Sequence, residues 1–289
     1  MANPKKAVQW NVDGDFFVDS TCINCDTCRQ LAPHTFVDAG PYSSVFHQPQ
    51  TAAQEEEAFQ ALLCCPTGSI GTRGNNKAKK VLADFPLLID DDVFYTGFNS
   101  EKSYGANSFF IKHPDGNWLV DSPKYLPHLA RALKNLGGIR YIFLTHRDDV
   151  ADAALYAKEF GAERIIHKDD LDAEPGCEIV ITGKSLTEHS ADFKFVPVPG
   201  HTRGHMVLIY KDKYLFSGDH LHFDREEKHL AAYREVCWYS WPEQTKSMNE
   251  LTNYSFEWVL AGHGDRVHLA KNELQKQLGE LVERMRKTG

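Results

Sequence analysis

Apolar residues in this chain fall mostly in short runs bounded by glycine, proline and charged positions, which predicts brief strands with helices between them. Residues 52–63 have apolar positions at helical spacing, with Glu55, Glu56 and Glu57 near the start, where the helix dipole favours carboxylates. Residues 107–112 and 118–121 read as strands joined through the turn signal Pro114-Asp-Gly116. Residues 125–136 are helical in period and stop at Gly137-Gly138. Residues 141–144 read as a short buried strand, and 153–160 as a helix. Residues 164–166, 178–181 and 193–198 are further strands, and 207–210 with 214–216 form a hairpin. Residues 242–251 read as a helix and 258–260 as a strand. Residues 267–286 read as a long closing helix with Leu269, Leu274, Leu278, Leu281 and Met285 on one side. Strands with helices interspersed predict a layered α/β domain with mixed sheets.

Ahead of that domain the pattern changes. Residues up to about Gly74 centre on Cys22-Ile-Asn-Cys25-Asp-Thr-Cys28, followed much later by Cys65-Pro66. The stretch Gly74-Asn-Asn-Lys-Ala-Lys-Lys80 carries little apolar pattern and reads as a linker. The expected organisation is a first domain at 1–74, a linker at 75–84 and a larger domain at 85–289, which a length of 289 residues accommodates.

Composition narrows the classes. A hydrophobic content of 42% and a charged content of 25% are ordinary for a soluble globular chain. A net charge of −8 speaks against a general nucleic-acid binder. No apolar run approaches the roughly 20 residues of a membrane helix. Residues 1–10 carry Lys5 and Lys6 without an apolar core behind them, so they are not read as a secretory signal. The expected location is the cytoplasm, or an organelle stroma or matrix if a transit peptide has been removed. The seven cysteines are odd in number, and Cys22, Cys25, Cys28, Cys64 and Cys65 crowd into the first quarter. That is metal ligation in a reducing compartment rather than a disulfide framework. Cys177 and Cys237 have no partner pattern and read as packing residues.

Four thiolates are what a cubane iron–sulfur cluster requires, and two-residue gaps let three of them point inward from one tight loop. The triplet with a distant Cys-Pro resembles the single-cluster ferredoxin pattern over about the first 70 residues. The resemblance implies a small α+β ferredoxin-like domain holding a 4Fe-4S cluster on Cys22, Cys25, Cys28 and Cys65. Cys64 is the alternative to Cys65, and the residue directly before the proline is the better fit. A zinc knuckle fits less well, because zinc prefers paired C-x2-C.

Four loops in the larger domain offer histidine or aspartate just past an apolar run. They are Thr145-His146-Arg-Asp148-Asp149-Val-Ala-Asp152, Gly200-His201-Thr-Arg-Gly204-His205, Gly218-Asp219-His220 and Gly262-His263-Gly264. In the last three a glycine precedes the His or Asp, so a tight loop can bring a ligand to a strand end. That is the arrangement a metal site needs. The order resembles the metallo-β-lactamase superfamily, and its hydroxyacylglutathione-hydrolase-like branch most closely, over about residues 85–270. The resemblance implies an αββα sandwich, with His146 and His201 on a first metal, Asp219 bridging and His263 on a second. The family's H-x-H-x-D-H motif has its second histidine where this chain has Asp148. Its aspartate and last histidine fall on Val150 and Ala151. The second metal therefore lacks two expected ligands unless Asp149 or Asp152 takes their place.

The candidate metal ligands are His146, Asp148, His201, Asp219 and His263, for one or two ions. Replacing imidazole by carboxylate hardens the set and favours iron, with manganese or zinc compatible. Flavodiiron proteins of the same superfamily also carry a carboxylate at the second position. They keep the ligands that Val150 and Ala151 replace, and they use a flavin domain that is absent here. Asp149 is a candidate catalytic group for orienting water, and His205 for meeting substrate or bonding a loop carbonyl. His220 and His222 flank Leu221 near the site, while Trp238, Tyr239 and Trp241 either wall a pocket or belong to the core. Two functions follow. One is a redox protein whose cluster passes electrons between a partner and an iron centre. The other is a metal-dependent hydrolase of a small ester or thioester, with the cluster as a structural or redox-sensing module. A binding or sensor protein is a third class. β-Lactam hydrolysis is not expected.

Overall fold

A computed structural model describes residues 2–74 and 77–288; Met1, Gly289 and, within the expected linker, Asn75 and Asn76 lie outside the described residues. The chain divides into two compact units, residues 1–117 with 123–138 and residues 118–122 with 139–289.

The first unit opens with a small α+β module. Phe16–Val18 pairs antiparallel with Ile70–Thr72, and Phe36–Asp38 with Ser43–Val45. These strands are three residues long, too short for a sequence period to reveal. The helix Ala52–Cys64 begins where the Thr51 side chain accepts the Gln54 N–H, with Glu55 in its first turn. Its Ala58, Phe59 and Ala61 meet Phe16, Val18, Phe36, Val45 and Ile70 in the first core. The expected linker is not a bare spacer. Ala78–Val81 is a helix, its Ala78 and Val81 enter that core, and Lys77 pairs with Glu55. Two apolar positions one turn apart among lysines were too sparse a pattern to show this. The unit continues with an antiparallel ladder of Leu87–Asp90, Val93–Tyr95 and Phe109–Ile111, and with the helix Pro127–Asn135.

The second unit contains two facing sheets. Trp118–Val120, Tyr141–Phe143, Glu163–His167 and Ile179–Ile181 are parallel. The helix Ala153–Phe160 packs on them through buried Ala153, Tyr156 and Ala157. In the other sheet Thr187–Glu188, Phe193–Pro197, Met206–Tyr210 and Tyr214–Gly218 run antiparallel in that order. Trp258–Ala261 then joins parallel to Tyr214–Gly218, and Val267–His268 antiparallel to it. Between the sheets Trp118 stacks on Phe193 at 4.2 Å, and Phe143 lies 5.0 Å from Phe195. On the far face Val196, Val207, Ile209, Leu215 and Val259 bury against the helices Trp241–Leu251 and Lys271–Lys287. Helix, sheet, sheet and helices make an αββα sandwich. Met206–Tyr210 is buried throughout because both its faces are covered, hence its unbroken apolar run.

The closing helix starts at Lys271, not at Val267. Val267 lies opposite Val259 in the ladder. It falls in phase with the helix stripe without belonging to the helix. Trp241 belongs to this core and donates its ring N–H to the Met285 carbonyl at 3.2 Å. No helix among the described residues is long and apolar enough to cross a membrane.

Candidate cluster site and candidate metal centre

Cys22, Cys25, Cys28 and Cys65 line one cavity in the first unit. Asn24 and Asp26, with φ of 58° and 71°, turn the chain after Cys22 and Cys25 so that the triplet faces one space. Both residue types tolerate that left-handed conformation. Donor groups lie within reach of the Cys22, Cys25 and Cys65 sulfurs. The Asn24 N–H points at Cys22 Sγ at 3.4 Å and the Ser69 N–H at Cys65 Sγ at 3.3 Å. The Thr27 hydroxyl lies 3.4 Å from Cys25 Sγ, and that of Thr67 3.7 Å from Cys65 Sγ. Burial, with Cys65 and Cys22 nearby, pushes the Cys25 thiol up to about 11; burial pushes Cys28 higher still. Thiols as buried as Cys25 and Cys28 become thiolates when they share a positively charged iron core, and with Cys22 and Cys65 on the same cavity the donor set fits a four-thiolate cluster. Cys64 is fully buried and is not among the residues lining that cavity.

The second site lies in the second unit, where strands end. Past Tyr141–Phe143 the chain reaches His146, and the 3-10 turn Arg147–Asp149 follows it directly. His201 follows Phe193–Pro197, Asp219 follows Tyr214–Gly218 and His263 follows Trp258–Ala261. The glycines are needed for close approach. A Cβ on Gly218, whose φ is +49°, would lie 2.6 Å from Thr145 Oγ1 and 2.8 Å from His205 Nε2. One on Gly262 would lie 2.7 Å from Asp219 Oδ1 and 2.8 Å from Asp149 Oδ2.

Two overlapping donor groups result. His146, Asp148 and His201 offer ligand atoms within 4.8 Å of one another, and so do His146, Asp149 and Asp219. His146 Nε2 is 3.7 Å from both Asp148 Oδ2 and Asp219 Oδ2, and His201 Nε2 is 3.4 and 3.6 Å from the same two atoms. His263 Nδ1 is 2.9 Å from both Asp219 oxygens. His146 Nε2, both His201 ring nitrogens and both Asp149 oxygens are buried without a hydrogen-bond partner among the described residues. Each such atom costs roughly 1–3 kcal/mol. Five together describe a place for cations better than a packed core.

Charge distribution agrees. Burial pushes His146 down to about 4, which leaves it a neutral lone-pair donor near pH 7. Burial alone would raise Asp219, but His263, His146 and His201 hold its carboxyl well below the usual range. Asp149 moves the other way: burial, then Asp219, Asp121 and Asp148, push it well above its ordinary value. A bound cation would ionise it.

Two supporting carboxylates were not singled out from the sequence. Asp121, just past Trp118–Val120, accepts the Thr145 N–H at 2.8 Å and its hydroxyl at 3.0 Å; Thr145 Oγ1 in turn lies 3.0 Å from His146 Nδ1. Burial pushes the Asp121 carboxyl up to about 8; once ionised by a cation bound beside it, Asp121 would take the hydroxyl proton, so that His146 Nδ1 donates to Thr145 and Nε2 keeps its lone pair for the donor group. Its position after an apolar run, like that of the four loops, was a usable signal. Asp170 accepts from the Arg147 N–H at 3.2 Å, the Thr202 hydroxyl and the Gly204 N–H at 3.1 Å, tying two site loops together. Within Lys168-Asp-Asp-Leu-Asp172 it carried no signal.

The remaining candidates fall as follows. His205 is fully buried, stacks on His146 at 4.7 Å, and its Nε2 accepts the Asp219 N–H at 3.2 Å. That places it behind the donor group, away from solvent. His220 is also buried, and burial with His201 nearby pushes it to about 3. His222 lies half-buried, 5.1 Å from the Tyr233 ring. Asp152 begins the helix Ala153–Phe160 and is not in either donor group. Trp238 is 66% exposed, its ring 6.2 Å from that of His201, and the main-chain N–H groups of Trp238 and Tyr239 both donate to the His201 carbonyl at 3.0 Å. Arg203 lies over the Tyr239 ring at 5.1 Å.

Residues 18–72 match the family described as the 4Fe-4S single cluster domain of Ferredoxin I. A hydroxyacylglutathione hydrolase of Shewanella pealeana is 29% identical over 142 residues, 47% of this chain and 51% of that protein, so the match spans about half the relative's length. The structure of the DIM-1 metallo-β-lactamase is similar with a TM-score of 0.52 at 18% identity, and that of VMB-1 with 0.53 at 16%; each comparison covers 68% of this chain and 95% of the other. The chain therefore joins a single-cluster 4Fe-4S ferredoxin-type domain to a domain of the metallo-β-lactamase fold, which carries a candidate His/Asp metal site.

Proposed function

We propose that the protein is a metal-dependent hydrolase of a small ester or thioester, with the cluster as a structural or redox-sensing module. The observation that carries this reading is the set of buried donor atoms without partners on His146, His201 and Asp149, converging with Asp148 and Asp219. The partial likeness to a hydroxyacylglutathione hydrolase supports the substrate class. A cation in such a site supplies positive charge that polarises a carbonyl and acidifies water. His146, Asp148 and His201 form one holding set. Asp149 and Asp219, with His263 on Asp219, form a second. Asp149 is fully buried, which suits it to holding a cation rather than to handling substrate, so it stands in for one of the ligands displaced by Val150 and Ala151. The Asp148 side chain is 43% exposed and the Asp219 side chain 14%, so Asp148 holds its cation from the open side, where water and substrate reach it. Trp238 and the Arg203–Tyr239 pair beside His201 offer substrate an apolar surface and a positive charge. The test is turnover of a panel of generic esters and thioesters by the wild type and by Asp219→Ala. Metal-dependent turnover lost in the variant is expected, and no metal-dependent turnover of any panel member would sink the reading.

A second reading has its own observation. Asp148, Asp149 and Asp219 make the donor set carboxylate-rich, and hard donors favour iron. In that case the cluster exchanges single electrons between an external electron-transfer partner and iron at the His/Asp centre. Elemental analysis with EPR on protein purified without oxygen separates the two. Iron beyond the cluster's own supports redox coupling, and zinc alone counts against it.

A further inference from the structure

The loop between the strands Val93–Tyr95 and Phe109–Ile111 lies outside the residues that match the ferredoxin family, yet it packs on the cluster cavity. Gly105 has φ +86°, and a Cβ there would lie 2.7 Å from Cys25 Cβ, 2.8 Å from Cys25 Sγ and 3.1 Å from Pro66. The hydroxyl of the neighbouring Tyr104 donates to the Ile23 carbonyl at 2.6 Å. Asn99, 2% exposed, donates its amide to the Gly105 carbonyl at 2.7 Å and to Thr27 Oγ1 at 3.2 Å, while its Oδ1 accepts from the Tyr95 hydroxyl. Those acceptors fix the amide's orientation. Thr27, 1% exposed, has one hydroxyl proton and two acceptors in reach, the Gly105 carbonyl at 3.2 Å and Cys25 Sγ at 3.4 Å.

We propose that this loop completes the cluster site: Gly105 closes the Cys25 edge against water, and Asn99, acting through Thr27, sets the cluster's reduction potential. Because Asn99 satisfies the Gly105 carbonyl, the Thr27 proton is released for the sulfur, which as a ligated thiolate is the more negative acceptor. A hydrogen bond to a ligand sulfur stabilises the more negative, reduced state of a cluster and raises its potential. Without Asn99 the buried Gly105 carbonyl keeps the Thr27 hydroxyl, 3.2 Å away, as its side-chain donor, and the Thr27 proton turns to it. Asn99 is thus a positioning residue. It works on the cluster from a segment more than thirty residues past Cys65 in the chain.

The experiment uses full-length protein prepared without oxygen, with iron and sulfide content checked for each variant and the potential read by EPR-monitored redox titration. Thr27→Val is expected to shift the potential to a more negative value, and Thr27→Ser to keep it at the wild-type value. Asn99→Ala is expected to shift it in the same direction, and the Thr27→Val/Asn99→Ala double variant no further than Thr27→Val alone. Gly105→Ala is expected to lose its visible absorbance in air several-fold faster than wild type. Wild-type potentials in Thr27→Val and Asn99→Ala, or shifts that add in the double variant, would overturn the relay. An unchanged bleaching rate in Gly105→Ala would overturn the shield. If Asn99→Ala does not fold, the Val/Ser pair at Thr27 decides whether the hydroxyl acts on the cluster at all.

Discussion

Around the cluster cysteines the protein brings hydrogen-bonding groups to the sulfurs of Cys22, Cys25 and Cys65, from Asn24, Thr27, Thr67 and Ser69. Around His146, among the described residues, it brings none to five buried nitrogen and oxygen atoms. The contrast follows from the donor chemistry. A thiolate ligated to iron still accepts hydrogen bonds, and these tune the cluster. The lone pair of a neutral imidazole or the oxygen of a carboxylate is needed whole by a cation, so a competing N–H would weaken the site. The two sites also differ in how the chain assembles them. Three of the four cysteines lie within seven residues, whereas His146, His201, Asp219 and His263 come from four strand ends. The first site is a local motif with a distant fourth member; the second exists only once the sandwich has formed.

The strongest challenge to this contrast is to strip each site alone. Cys65→Ser is expected to abolish the cluster's visible absorbance while metal in the second domain, measured by elemental analysis, stays at the wild-type level. Asp219→Ala is expected to do the reverse. Asp219 lies between His146, His201 and His263, so its loss should lower ester or thioester turnover by more than the roughly 10–100-fold that a supporting residue costs. If either variant empties both sites, they are not independent.

A sharper division separates Asp149 from Asp152. Asp149→Asn keeps the shape but weakens the second donor group, and is expected to lower the metal-to-protein ratio of the second domain toward half. Asp152→Asn, outside both groups, is expected to leave the ratio unchanged. A reversed result would move the repair of the missing ligands to the helix start. Asp121→Asn comes next in size. It removes the carboxylate that orients Thr145 and His146, and metal affinity is expected to fall by about 10–100-fold, read by competition with a chelator.

How legible each site was follows the same contrast. The cysteine spacing and the four His/Asp loops were readable because each is a short run with its own chemistry. The strands flanking those loops were readable because Ile142 and Phe143, and all of Met206–Tyr210, are buried and so appear as apolar runs. What escaped depends on tertiary contact. Asp170 looks like one more acid in a charged turn until Thr202 and Gly204 arrive from another loop. Ala78 and Val81 look like linker until the first core is there to take them. Val267 fits a helix stripe or a ladder equally well, and Val259 decides for the ladder. The loop at Asn99–Gly105 has no motif; its meaning lies in what it touches.

The smallest effect comes from a charge pair that belongs to neither site and sets their baseline. Arg164 is the second residue of the parallel strand Glu163–His167, and Glu178 directly precedes Ile179–Ile181. The Arg164 N–H donates to Glu178 Oε2 at 2.7 Å and its guanidinium to Glu178 Oε1 at 2.8 Å, with Glu174 on the other side at 2.6 Å. The hydrogen bond from Arg164 holds the Glu178 carboxyl down at about 2, against an ordinary 4.5. A carboxyl lowered in the folded state contributes stability that is fully present above its unfolded value and is lost as pH falls through the folded one. The window here therefore runs from about pH 4.5 down to about 2. The Glu178 side chain is 39% exposed, so solvent screening holds the contribution to about 0.5 kcal/mol, as for exposed pairs generally. Glu178→Gln is expected to lower the thermal midpoint slightly at pH 7, and the gap from wild type should narrow as the pH is taken below 4.5. Metal content and the cluster spectrum should not change. A gap that widens on acidification would mean that Glu178 is held by something other than Arg164. A change at either metal site would mean that the edge of the parallel sheet is coupled to sites from which this pair stands apart.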